Sequence, residues 1–208
     1  MKNIFVVIVL ALLFIMSGAN AIAQDSTEHH QKMEKMDKKE SNHDMESMDN
    51  GQQDVTLRNI DPKTAASIKK IVDRYLQLKN ALVSDNTKDA AAAGKEIIIA
   101  LEKLDKSFLT AEQKKVYEDV EDDAKEMAEH IGDNAGKIDH QREHFDMLSN
   151  DVYDLVKAFG GGQVLYKYFC PKYNDKKGAI WLSESKTIKN PYYGKKMLNC
   201  GSLKEEIK

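Results

Sequence analysis

The sequence predicts an all-α fold: an up-down four-helix bundle with an irregular C-terminal cap. Three observations carry that expectation. Residues 60–159 hold four apolar stripes at helical spacing, each separated from the next by a short break. Helical period is lost after Gly160-Gly161-Gly162. Residues 24–54 are too polar to contribute to a core.

The first helix opens at Asp61-Pro62, where Asp serves as N-cap and Pro occupies the first helical position. Ile68, Ile71, Val72, Tyr75, Leu78 and Leu82 mark its buried face, and residues 85–87 break the run. Ile97, Leu101, Leu104 and Phe108 form the stripe of a second helix. Thr110 with Gln113 has the spacing of a capping box, in which side chain and backbone satisfy each other's open groups. The third helix then carries Val116, Val120, Ala124, Met127 and Ile131, and residues 132–136 supply the next break. Ile138, Phe145, Leu148, Val152, Leu155 and Phe159 lie on a fourth helix that the glycine run ends. Four such helices bury their stripes most economically against one another.

Residues 163–208 read as the cap. Val164, Leu165, Tyr166, Tyr168 and Phe169 form a short β-prone run. Turn formers and aromatics then alternate, with Trp181, Tyr192 and Tyr193 as expected anchors onto the bundle.

The N-terminal end points to export. Lys2, the apolar run 4–16 and the small-x-small sites Ala19-Asn20-Ala21 and Ala21-Ile22-Ala23 have the anatomy of a secretory signal peptide over residues 1–23. The run is shorter than the ~20 residues of a spanning helix, so a periplasmic protein with no stable membrane span after cleavage is expected. Residues 24–54 lack Ile, Leu and aromatic side chains and are predicted to be a disordered tail. Residues 55–208 then make the bundle and its cap. The formal net charge of -3 is nearly balanced and no basic stripe stands out, which argues against a nucleic-acid partner.

Candidate metal ligands fall in three places. The tail holds His29, His30, Met33, Met36, His43, Met45 and Met48, three of the six histidines and four of the nine methionines. Thioethers and imidazoles suit Cu(I), and imidazole also suits Cu(II) and Zn(II). On the fourth helix His140 and His144 stand four apart, with Met147 three further on, so the three share one flank beside the core stripe. Spacing alone leaves these as ligands or as ordinary flank histidines. Third, Cys170 and Cys200 are the only cysteines, with Met197 nearby. In an oxidising compartment they read first as a disulfide, whose loop closure would contribute ~3 kcal/mol or more. As thiolates they would instead suit a soft cation. No nucleophile motif, phosphate-cradling glycine loop or His-Glu-x-x-His is present, and an enzyme is not expected.

Several segments resemble the DUF3347 family: Asp139-His140-Gln141-Arg142-Glu143-His144-Phe145, Tyr168-Phe169-Cys170-Pro171, Lys177-Gly178-Ala179-Ile180-Trp181-Leu182-Ser183, Asn190-Pro191-Tyr192-Tyr193-Gly194 and Met197-Leu198-Asn199-Cys200-Gly201. The resemblance runs over about residues 55–207. That family occurs as small exported proteins of Bacteroidota and joined to periplasmic adaptors of heavy-metal efflux systems. The resemblance implies a copper or silver context, and a site in which His140, His144, Cys170, Met197 and Cys200 converge. Lys172 departs from the family pattern, where Met usually follows Cys-Pro; a cation there would repel a nearby metal ion.

The resulting expectation is a periplasmic binding protein for copper-like ions, possible cargoes including silver and zinc, acting as a buffer or as an accessory to an efflux adaptor. The alternative is a metal-free envelope interaction module stapled by Cys170–Cys200.

Overall fold

The computed structural model describes residues 59–208. The expected signal peptide and the His/Met-rich tail lie outside the described residues. Four helices follow in order: α1 (Pro62–Val83), α2 (Thr87–Glu102), α3 (Ala111–Asp133) and α4 (Ile138–Phe159). Consecutive helices pack as neighbours, and α1 also meets α4, which closes the bundle. None of the described helices is long and apolar enough to cross a membrane.

The helix starts follow the local chemistry. The Asp61 carboxylate accepts the Lys63 backbone N–H at 2.8 Å, with Pro62 at the first position. Asn86 caps α2 through the Asp89 N–H at 3.1 Å. Thr110 and Gln113 exchange both capping-box bonds, at 3.0 and 3.2 Å. At the far end of α4, Gly160 takes φ +77° while its N–H still reaches the Val156 carbonyl, a conformation that favours glycine.

All six apolar positions expected on α1 are buried. Two details differ elsewhere. α2 ends at Glu102, so Leu104 and Phe108 belong to the connection, where Leu104 is buried and Phe108 lies half-exposed in a 3-10 turn (Lys106–Phe108) under the Lys63 ammonium. On α3 Tyr117, absent from the expected stripe, is fully buried and its hydroxyl donates to the Leu101 carbonyl at 2.8 Å, while Val116 sits at the margin.

The expected irregular cap is corrected: it contains an antiparallel sheet, so the fold is not purely all-α. Strands β1 (Leu165–Cys170), β2 (Ala179–Ser183) and β3 (Ser202–Ile207) lie in the order β2-β1-β3. Tyr168 pairs with Trp181 on one side of β1 and with Leu203 on the other, with a bulge between Lys167 and Tyr168. The reason for the difference is physical. β2 is five residues long, and β3 reads Ser-Leu-Lys-Glu-Glu-Ile, mostly exposed, so pairing with β1 rather than its own propensity makes it a strand.

Polar ties join sheet to bundle. The buried Tyr75 hydroxyl contacts Ser149 Oγ at 2.8 Å and accepts the Leu182 N–H at 3.1 Å, linking α1, α4 and β2. Arg142, also buried, donates to the carbonyls of Pro191 and Leu82 and to Asp85 at 2.6 Å. Trp181 and Tyr192 are buried as anchors, while Tyr193 is half-buried.

Candidate metal centre

α3 and α4 form a hairpin across residues 134–137, and three histidines meet beside its turn. His130 is in the last turn of α3; His140 and His144 are one turn apart at the start of α4. The Asn134 side-chain amide donates to the His130 carbonyl at 2.8 Å and so finishes α3 just where the histidine is needed.

Each imidazole offers one nitrogen to a group whose ligand atoms all lie within 4.8 Å of one another. Nε2 of His140 is 3.2 Å from Nε2 of His144. Two nitrogens bound to one tetrahedral ion at 2.0–2.1 Å stand about 3.3 Å apart, so this pair is already at coordination spacing. The His130 ring stacks on His144 with centroids 4.3 Å apart and planes at 8°, whereas His140 meets His144 at 83°. All three nitrogens lie within 4.8 Å of one another, so a small movement of the His130 ring completes the set around an ion.

The surroundings favour lone pairs aimed inward. His144 is fully buried, and its Nδ1 lies 3.4 Å from Met127 Sδ. On the other side, Nδ1 of His140 is 3.5 Å from the Glu143 carboxylate. A neutral imidazole carries one N–H. With that hydrogen on Nδ1 in each ring, donated to the thioether and to the carboxylate, both Nε2 lone pairs face the same point. Outer partners of this kind fix the tautomer of metal-binding histidines. His144 forms the buried floor, while His130 and His140 are half-exposed, so an ion would keep a position open toward solvent.

The structure sorts the sequence candidates. His140 and His144 are brought together; Met147, proposed for the same flank, is partly buried against the core. Cys170 and Cys200 are not part of the ligand group, which is made by His130, His140 and His144. The cysteines instead meet each other: they are free thiols with sulfurs 2.8 Å apart, and Met197 lines a surface pocket with Cys200. His29, His30, Met33, Met36, His43, Met45 and Met48 lie outside the described residues. His130 was missed by sequence reasoning. A signal existed, since residues 130 and 140 are equidistant from position 135 at the middle of the turn, and such positions face each other in a helical hairpin.

The family model described as "Protein of unknown function (DUF3347)" matches residues 71–163. The matched stretch takes in all three histidines and Met127, and it ends before Cys170. Neither a curated protein nor a solved structure matches the chain.

Proposed function

We propose that this protein binds a transition-metal ion of the copper type through His130, His140 and His144. The observation that carries the reading is the meeting of three imidazoles from two helices, with one pair at 3.2 Å. Imidazole suits copper and zinc equally; the Met127 thioether against His144 and the Met-rich sequence of residues 24–54 tip the choice toward copper, with silver and zinc as competitors. The role is binding rather than catalysis. An open, half-exposed site of three neutral ligands exchanges its ion readily, as a buffer or an accessory to efflux requires. Export to the periplasm and an efflux adaptor as partner belong to the same proposal and rest on the sequence of the N-terminal end and the family resemblance.

A second reading has its own observation: the His140–His144 contact can be satisfied by one shared proton. The bundle would then be a metal-free interaction module. Anaerobic Cu(I) titration against a competing chelator separates the two, with Zn(II) and Cu(II) run in parallel. Tight binding that is lost in H140A/H144A supports the metal centre. Equal, weak binding by wild type and variant overturns it.

A further inference from the structure

The thiol pair stands apart from the histidine site and from the reading built on it. Cys170 closes β1, is fully buried and is paired in register with Ala179 of β2. Cys200 comes from the segment leading into β3 and is half-buried. Its backbone is held on both sides: its N–H donates to the Met197 carbonyl at 3.1 Å, and its carbonyl accepts from the buried Asn190 amide at 2.6 Å. The two sulfurs thus face each other at 2.8 Å from independently fixed backbones. Only one of them is presented outward: Cys200 lines a surface pocket with Pro171, Lys172 and Met197, and Cys170 does not.

We propose that Cys170 and Cys200 are a thiol–disulfide exchange site for a low-molecular-weight disulfide, with Cys200 attacking first and Cys170 resolving. The Cys200 thiolate attacks one sulfur of R–S–S–R, forming a mixed disulfide and expelling RS⁻. The Cys170 thiolate then attacks the Cys200 sulfur of that mixed disulfide, expelling the second RS⁻ and closing Cys170–Cys200. The two cysteines are oxidised, the reagent is reduced to two thiols, and the two cysteine protons end on the released RSH. Burial and the Cys170 contact push the Cys200 thiol up, and the Lys172 ammonium beside the pocket offsets only part of that, so the attack quickens as pH rises; the same ammonium opposes a bound cation there. Closure ties the segment before β3 covalently to β1, the centre strand of the sheet.

The order of attack gives the test. The full chain, reduced and kept in excess chelator so that no metal contributes, is exposed to oxidised glutathione, quenched with acid and weighed intact. Wild type is expected to lose two hydrogens and to show no lasting adduct. C170S should accumulate a glutathione adduct at Cys200, whereas C200S should react at least about tenfold more slowly because its remaining thiol is buried. Should C170S fail to fold, early quenching of wild type and peptide mapping show which cysteine first carries glutathione. The proposal is overturned if wild type stops at the mixed disulfide or keeps both thiols. It is equally overturned if C200S reacts as fast as C170S, or if the first adduct maps to Cys170. Loss of copper binding elsewhere in the chain would leave these outcomes unchanged.

Discussion

Nε2 of His140 and Nε2 of His144 face each other across 3.2 Å, one turn apart on α4, with the His144 ring sealed from solvent. Neither helix geometry nor core packing requires this contact. A pair of lone pairs pointed at one place gains from a cation there, and the stacked His130 ring supplies a third donor.

Removal of any one imidazole is therefore expected to weaken metal binding by about 100-fold or more, leaving helix content unchanged. H130A is the decisive variant, because an i, i+4 chelate of His140 and His144 alone would survive it. Chelator competition reads the affinity, and circular dichroism reads the helices. An affinity for H130A equal to wild type would reduce the centre to the α4 pair. M127L should cost less, about tenfold, through loss of the partner that orients His144.

What the sequence showed, and what it hid, follows from where each signal lives. The stripe from Ile68 to Leu82 and the Thr110–Gln113 box are local patterns, and the structure repeats them. His140 and His144 are local too, within one turn. His130 and Tyr117 need the partner helix before their position has meaning. β3 likewise has no strand pattern of its own; its register with Leu165 to Phe169 exists only once the chain has returned to β1. The cysteine pairing was legible as an option between disulfide and ligands. Their separation from the histidines was not, because it depends on which side of α4 the cap packs.

Gly94 sets the distance between α2 and α3. A Cβ there would lie 2.8 Å from the Ala128 carbonyl oxygen and 3.2 Å from the Ile131 side chain, and backbone cannot yield as a flexible side chain does. Alanine is ordinarily the better helix former. Here G94A should instead destabilise by about 1–3 kcal/mol, read as a lower urea midpoint. Ile131 and Met127 share this stretch of α3 with His130, so the same substitution should also loosen metal binding several-fold. A midpoint equal to or above wild type would show that the helices separate freely.

Lys79 is almost wholly buried, and its ammonium meets the Glu184 carboxylate at 2.8 Å. Burial lowers the Lys79 pKa, with the carboxylate opposing. At Glu184, burial alone would raise the pKa, but the hydrogen bonds from Lys79 and Asn80 outweigh it and hold the carboxyl below its ordinary 4.5. A depressed carboxyl contributes stability that is present above the unfolded value and lost as pH falls through the folded one. E184Q should cost about 1–3 kcal/mol at pH 7, discounted because the carboxylate is partly exposed. Urea titrations of wild type and E184Q should converge below about pH 4. A constant gap down to pH 3 would assign the loss to packing instead.

Oxidation of Cys170 and Cys200 bears on stability as well as on exchange. The bridge would close a loop over residues 171–199, which in the chain-entropy account stabilises the fold by about 3–4 kcal/mol through the unfolded state. The reduced chain has a further dependence on pH. Burial, with the Cys170 contact, pushes the Cys200 thiol from its ordinary 9.0 up to about 11. A raised folded value means that the thiol form contributes stability below pH 9, and that this is lost as pH climbs toward 11. The disulfide has no such proton to lose. Urea midpoints of oxidised and reduced protein should therefore differ at pH 7 and diverge further above pH 9. Coincident midpoints at pH 7 would mean that closing the bridge strains β1 by as much as the shortened loop gains, and a gap independent of pH would remove Cys200 as the titrating group.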